Sequence, residues 1–473
     1  MPLILGANSV SGGYEVDNSL RFDSASSDYL SRTFGSNGSL TTWTLSFWVK
    51  RSSLSVSQAT FSSEVDSNNT DLMYFQSSDK FDWWEYTSGY NARKVTNQLF
   101  RDVSAWYHIV CVWDTTNVTS SDRQKIYVNG ERITSFSSNT EPALNETSRF
   151  NSTVPFEIGR SSSGSSGYFG GYISEINFIS GQALDPTYFG ETDPATSSSG
   201  IWIPKAYTGS FGTNGFYLEF QNSASLGTDS SGNGNTFTVN NLTSVDQSTD
   251  TPTNNFCTLG GLVFSPKTTG GTYSDGNLTV EATSSDVSAC GNFAVTTGKW
   301  YWETKIINDG ANTRNIGITI TNLAQNTTYG FYIGNPTSGT NTSGTIGYNG
   351  GNGNIYQKNV GGTQTTTSTS TTNATGDIIG IALDMTNGTI TYYKNGTQLT
   401  NTPVSLDSLS EWQSWGVLPA YRIDQTSTKV SCNFGNPPYS ANSYTDGAGY
   451  GNFSYAVPAG YYSLNTKNLA DYG

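Results

Sequence analysis

Histidine is almost missing from this 473-residue chain, and His108 is the sole imidazole. That excludes a multi-histidine metal site and leaves one possible imidazole base. Charge is also scarce. Asp, Glu, Lys and Arg make up 13% of the residues, about half the roughly 25% usual in soluble domains. The charge present is acidic, with a net −14 and a pI near 4.5. No Lys/Arg cluster forms a basic stripe, so nucleic acid is not an expected partner. The four cysteines, Cys111, Cys257, Cys290 and Cys432, are scattered and form no C-x-x-C pair. This argues against a zinc site and a disulfide framework and predicts buried free thiols. No apolar run reaches 18 residues, and the opening MPLILGANSV has no basic region and too short an apolar stretch for a secretory leader. Neither membrane insertion nor secretion is therefore expected.

Gly, Ser, Thr and Asn fill the polar positions, and aromatics reach 13%, a balance that suits short strands joined by many turns. Thr44 to Lys50, TLSFWVK, alternates between two faces. Trp106 to Trp113, WYHIVCVW, is nearly continuous and apolar, as in the middle of a sandwich. In KIYVNGERI, Lys125 to Ile133, Asn129-Gly130 supplies the positive φ angles of a type I′ hairpin, and Asn395-Gly396 does the same in ITYYKNGTQL. Strands are also expected at Phe156 to Gly159, Gly171 to Ile179, Trp300 to Ile306, Asn315 to Ile320 and Ile378 to Met385. Helical periodicity is absent, and the one expected helical turn follows Asp185-Pro186, an N-cap with Pro at the first helical position. The length predicts two domains. The expected fold is all-β, two antiparallel β-sandwich (jelly-roll) domains in series. Between them, Gly190 to about Gly270 is rich in Gly, Pro, Ser and Asn yet holds IWIP and FYLEF. It reads as a structured connector whose strands complete the first sandwich.

Chemistry is sparse. Glu64 and Asp66 flank Val65 and would share a strand face, as the carboxylates of jelly-roll glycosidases do. A retaining mechanism needs a second carboxylate about 5 to 5.5 Å away, but three residues after Asp66 stands Asn69. The run DSNNT reads as a turn, so both acids are expected at a solvated strand end. His108 lies inside an apolar strand and reads as structural. No G-x-S-x-G elbow supports a triad. Asp114 and Asp122 bracket a Thr/Ser-rich loop that could offer oxygens to calcium but reads as an ordinary solvated turn. NGGNGN lacks a following helix and a closing Lys-Ser/Thr, so it is a turn and not a phosphate cradle. The Asn-x-Ser/Thr triplets carry little weight in so Asn- and Thr-rich a chain. No catalytic residue, metal or cofactor is expected.

Binding features are better supported. In Lys80 to Tyr86, KFDWWEY, alternation places Phe81, Trp83 and Glu85 on one face and Asp82, Trp84 and Tyr86 on the other. Trp84 and Tyr86 are expected to be exposed, since Phe81 is the most purely apolar member. With Asp82, Tyr90, Asn91 and Arg93 they would form an aromatic platform able to stack on a sugar. The alternative is that the tryptophans pack against another strand or subunit. In the second half, Trp412 and Trp415 fall in the loop-like LSEWQSWG, and Tyr348 and Tyr356 surround NGGNGN. These four are further candidate ligand contacts, with core packing an equal alternative for one of the tryptophans.

LRFDSASSDYLSRTF, LSFWVKRS, FRDVSAWYHIVCVWDTT, SDRQKIYVNGE, GYISEINFISGQALDPTYFGE and IWIPKAYTGSFGTNGFYLEF, with the connector runs DSSGNGN and DTPTNNF, carry a resemblance. The first domain, residues 19–225, resembles the concanavalin A-like, laminin-G-type jelly rolls of marine bacteriophage structural proteins. TGKWYWETKI, NIGITI, GDIIGIALDM, ITYYKNGT, NFGNPP and FSYAVPAGYYSLNTKNL make residues 271–473 similar to a SPRY domain. Residues 226–270 would be the connector, and residues 1–18 an attachment arm or an edge strand. The resemblance implies binding through the second domain's loops. It also implies a virion surface protein, assembled in the host cytoplasm: a tail fibre or adhesin that binds host-surface glycan or protein, contacts other virion proteins and forms a homo-oligomer, a trimer favoured. The alternative is a capsid or tail decoration; a glycoside hydrolase is less favoured.

Overall fold

The computed structural model describes residues 13–164, 167–194, 200–260, 270–284, 287–310, 314–321, 333, 344–359, 364–423 and 425–473. Residues 1–12 of the proposed arm and residues 261–269 of the proposed connector lie outside the described residues. The chain divides into two compact units, with the boundary between Asn254 and Asn255. Each is a sandwich of two mainly antiparallel sheets, the first with a separate two-stranded ribbon and the second with one parallel pairing.

In the first unit the strands are β1 (Ser19–Phe22), β2 (Tyr29–Arg32), β3 (Thr42–Arg51), β4 (Gln58–Asp66), β5 (Asn69–Phe75) and β6 (Lys80–Thr87). There follow β7 (Tyr90–Leu99), β8 (Tyr107–Asp114), β9 (Gln124–Val128), β10 (Glu131–Arg132), β11 (Phe136–Thr140) and β12 (Phe156–Ile158). The last six are β13 (Gly171–Ser180), β14 (Gly190–Thr192), β15 (Trp202–Pro204), β16 (Phe216–Leu218), β17 (Thr238–Asn240) and β18 (Gln247–Ser248). One sheet runs β10-β9-β8-β3-β13-β1-β18, with β16 also on β13; the other runs β11-β7-β6-β5-β4-β12-β2-β17. Alternation decides what lies between them. Leu45, Phe47 and Val49 of β3 meet Phe61, Met73, Phe81 and Trp83 of the second sheet in one core. At its centre Trp43 lies 5.5 Å from Trp83 and 6.2 Å from Trp113.

The polar tail of this unit is ordered by side-chain hydrogen bonds. Both Asp229 oxygens accept within DSSGNGN, from Ser231 and Asn235, and the Asn233 and Asn235 amides donate to the carbonyls of Gly212, Thr213 and Gly215. Within the segment expected to be a connector, β17 pairs with β2 and β18 with β1. Lys50 reaches Asp250 at 2.8 Å with both side chains buried, and the Trp106 indole donates to the same carboxylate. Such a pair adds little net stability, but breaking it leaves a buried charge without its counter-ion.

The second unit holds β19 (Gly271–Ser274), β20 (Thr279–Ala282), β21 (Val287–Cys290), β22 (Lys299–Asn308), β23 (Arg314–Ile320), β24 (Thr345–Asn349), β25 (Asn354–Lys358) and β26 (Gln364–Ser368). It continues with β27 (Ile378–Asp384), β28 (Thr389–Lys394), β29 (Thr397–Gln398), β30 (Val404–Ser405), β31 (Val417–Ile423), β32 (Lys429–Asn433) and β33 (Tyr462–Ser463). The sheet β19-β20-β32-β22-β27-β28-β29, joined by β30 and β33, faces β21-β31-β23-β24-β25-β26. The C-terminal stretch is held on the outer side of β22 by Glu303, a fully buried carboxylate. It accepts from the Asn433 amide and the Ser454 and Tyr455 backbone N–H groups. Burial keeps its carboxyl above the ordinary range even though these donors favour the charged form.

The single helical turn expected at Asp185 is present, capped by the Asp185 side chain on Thr187 N. Among the described residues two α-helices, with further 3-10 turns at Ser120–Asp122 and Ser244–Asp246, correct the expectation that helix is otherwise absent: α1 (Leu409–Trp415), where a loop was expected, and α2 (Thr466–Tyr472). Each is seven residues long, too short for 3.6-residue periodicity to register. Gly416 at φ +73 ends α1, and Asn465 caps α2 through Asn468 N. All four cysteines are buried.

Candidate functional site

The platform expected on β6 forms, but with a different exposed set. Phe81 and Trp83 enter the main core, while Trp84 belongs to a separate outward cluster with Ala59, Leu72 and Tyr74. The β6–β7 turn at Ser88, φ +53, sets the two strands in register, Trp84 opposite Arg93 and Tyr86 opposite Tyr90. A register shift between Glu85 and Tyr86 accommodates Asn91.

Trp84 corrects the expected exposure: it retains only 7% of its surface. Tyr74 packs edge-on at 4.9 Å, Tyr90 at 5.8 Å, and the Arg93 guanidinium lies 5.5 Å from its ring. Its indole N–H donates to Thr70 Oγ1. Cross-strand neighbours on the same face cover a central strand's large side chain, a consequence of register that alternation alone does not give. Asp82 is fully buried too, taking Arg93 Nη2 at 2.7 Å and Gln76 Nε2 at 2.7 Å. The accessible surface is Tyr90, 43% exposed, with the half-buried Tyr86 at 5.1 Å, Asn91 and Arg93. Arg93 lies over Tyr90 at 4.3 Å. The Asn91 side chain bonds to Glu146, whose carboxyl is held above its ordinary range by burial and by neighbouring Glu85. Burial, with Asp82 beside it, likewise raises the Tyr74 phenol. Tyr74, Thr70 and Gln76 were not foreseen, although Thr70, Leu72 and Tyr74 alternate in NTDLMYF.

The carboxylates considered for catalysis are occupied or solvated. Glu64 is buried, not at a solvated strand end: its oxygens accept from the Ser161 and Ser162 hydroxyls and from Ser163 N. Asp66 is exposed and closes the turn through Asn68 N and the Asn69 amide. A register shift separates the two acids. Asp114 accepts from Thr116, and Asp122 pairs with Arg132 across a half-exposed surface. Among the described residues no three His, Cys, Asp or Glu side chains are grouped to hold a metal ion.

His108 is fully buried, its ring stacked 4.8 Å from Trp48. Trp202 Nε1–H donates to Nδ1 at 2.9 Å, so the proton sits on Nε2, which donates to Ser46 Oγ at 2.8 Å. Burial pushes the ring down to about 3.

The second unit's candidates do not converge. Tyr348 is buried in the core, its hydroxyl donating to Thr371 O, because Tyr348 and its partner Ile355 face inward. Tyr356, one position on, faces the other way and accepts from Asn352 and Asn354. Trp412 is buried with its indole on Asp407, whereas Trp415, three residues along α1, is 45% exposed. NGGNGN is the β24–β25 turn, closed by the Asn349 side chain on Gly351 and Asn352 N.

Residues 23–187 match the family model of the concanavalin A-like lectin/glucanases superfamily, laminin-G type, and residues 299–414 match the SPRY domain. No curated protein matches the chain in sequence. Among solved structures, the SPRY domain of human HERC1 is 20% identical, covering 33% of this chain and 87% of its own, with a TM-score of 0.25. The SAP-like pentraxin from Limulus polyphemus is 16% identical, covering 36% and 80%, with a TM-score of 0.26. The TRIM65 PSpry domain is 14% identical, covering 37% and 89%, with a TM-score of 0.25. The domain assignments rest on the two family models and not on these distant likenesses.

Proposed function

We propose that this chain, a concanavalin A-like laminin-G domain followed by a SPRY domain, is a recognition protein of the adhesin type that takes a host-surface glycan on the β6–β7 hairpin. The supporting observation is the accessible Tyr86–Tyr90 pair beside Arg93 and Asn91, on the face of the sheet turned away from the core. A tyrosine face offers a stacking surface for a pyranose, and the adjoining guanidinium and amide offer donors to its hydroxyls. The tail-fibre assignment, the virion location, a trimeric assembly and contacts with other virion proteins rest on the phage-like sequence runs alone.

The test uses the full chain on a panel of immobilised bacterial surface polysaccharides. Tyr90→Ala and Tyr86→Ala should each weaken binding about tenfold, corresponding to roughly 1 to 1.5 kcal/mol for one aromatic contact. The melting temperature should stay close to that of the parent. Binding that neither change alters refutes the assignment of this face.

A further inference from the structure

Strand β13 changes partners along one edge. It pairs with β1 at Gly171 to Ile173 and with β16 at Ile176 to Phe178, and its pairing with β3 skips a step between Ser174 and Asn177. Glu175 occupies the bulge at that changeover, with φ +52, a left-handed conformation that costs a non-glycine residue of order 1 kcal/mol. Its side chain is buried, 6% exposed, yet polar. The Tyr217 hydroxyl lies 2.8 Å from one carboxyl oxygen and the Tyr14 hydroxyl 2.9 Å from the other. The two hydroxyls are 2.9 Å from each other.

These three contacts close a ring, and the ring can be counted in protons. Three oxygen–oxygen hydrogen bonds need three protons, and each tyrosine brings one. If both tyrosines donate to a carboxylate, none remains for the contact between them, and two oxygen lone pairs face each other at hydrogen-bond distance. The ring is complete only when Glu175 carries the third proton: the carboxylic acid donates to one hydroxyl, that hydroxyl to the next, and the second back to the free carboxyl oxygen. Burial opposes ionisation of Glu175 most strongly, the hydrogen bonds from Tyr217 of β16 and Tyr14 of the N-terminal segment favour it, and two further acids, Glu219 and Asp17, oppose it.

We infer that Glu175 is a neutral carboxylic acid that latches the N-terminal segment around Tyr14 onto the first unit, and that losing its proton loosens the latch. Burial holds this carboxyl at about 7, against about 4.5 when free. The closed latch therefore binds the proton more tightly than the open one. It is fully favoured below about pH 4.5, weakens as pH rises towards 7, and levels off above that.

Hydrogen exchange of residues 13–18 in the full chain, across pH 5 to 8, reads the opening after correction for intrinsic exchange. In the parent chain, opening should increase by about 30- to 100-fold between pH 5 and pH 7.5. Glu175→Gln keeps a donor and an acceptor in place of the neutral acid, so its opening should be independent of pH and close to the parent's pH 5 value. Tyr14→Phe breaks the ring at any pH and should raise opening at pH 5. Flat exchange in the parent chain overturns the inference, as does a Glu175→Gln chain that keeps the parent's pH profile. Should Glu175→Gln fold poorly, the parent and Tyr14→Phe profiles decide the matter alone: both rising by the same factor also overturns it.

Discussion

Because the chain has one histidine, the charge state of that ring can be followed without assignment ambiguity, and the structure makes a strong demand on it. His108 has both nitrogens engaged inside the core, accepting from Trp202 and donating to Ser46. Protonation would place a second N–H against the Trp202 N–H, donor facing donor, with no solvent to take the charge. Burial accordingly pushes the ring from 6.5 down to about 3. In the unfolded chain the ring titrates normally, so below pH 6.5 the unfolded state binds a proton that the folded state refuses. The folded state is thus penalised progressively as pH falls from 6.5 to about 3, and the penalty is absent above 6.5. At 1.36 kcal/mol for each pH unit, the loss is about 3 kcal/mol at pH 4.5 and about 4 kcal/mol at pH 3.

Two measurements test this. A long-range 1H–15N spectrum of the folded protein should show an unprotonated Nδ1 and a protonated Nε2, unchanged from pH 8 to pH 4.5. Urea unfolding of the parent and of His108→Phe, compared at pH 7.5 and 4.5, isolates the contribution of the ring from those of the carboxylates. The variant loses two hydrogen bonds and starts less stable, but the gap should narrow by about 2 to 3 kcal/mol at the lower pH. A folded-state titration midpoint near 6.5, or a gap that does not change with pH, refutes the burial and the hydrogen-bond assignment together.

Lys50→Met should destabilise the first unit by about 3 to 5 kcal/mol in denaturant unfolding by leaving the buried Asp250 without its cation, and Lys50→Met with Asp250→Leu should recover much of that loss. At Gly130, φ is +84 and an added Cβ would lie 2.6 Å from the Trp202 ring, so Gly130→Ala should lower the melting temperature by several degrees. At Gly232, also at positive φ but facing open space, the same change should cost only about 1 kcal/mol of backbone strain.

The parts of the fold that the sequence announces are those whose cause is local. Asn129-Gly130 and Asn395-Gly396 take φ values of +48 and +84 and of +50 and +79, the hairpin geometry that these dipeptides favour. The alternation in TLSFWVK places Leu45, Phe47 and Val49 in the core as its period requires. What the sequence conceals depends on partners far along the chain. Asp250 meets Lys50 across 200 positions, and Glu175 meets Tyr14 across 161. Neither pairing leaves a spacing or a motif behind. Helix α1 is hidden for a different reason, since two turns offer one buried and one exposed tryptophan, a pattern that a loop could show equally well.

At the candidate site the side of β6 turned away from the core was legible and its exposed residues were not, and the difference bears on how such a site could work. Trp84 is the floor of the platform, not its surface, because Tyr74, Tyr90 and Arg93 converge on it from neighbouring strands. Arg93, in turn, is tied to the buried Asp82 and lies over one face of Tyr90. Tyr90 therefore has at most one ring face open to a ligand, rigidly placed by the ion pair behind it. One aromatic face contributes about 1 kcal/mol beyond area burial, and the ordering cost of a ligand consumes much of that. Preorganisation limits the loss but does not remove it. For the proposed recognition role, a single copy would bind weakly, and firm attachment would require several copies displayed together whose combined occupancy raises the effective concentration.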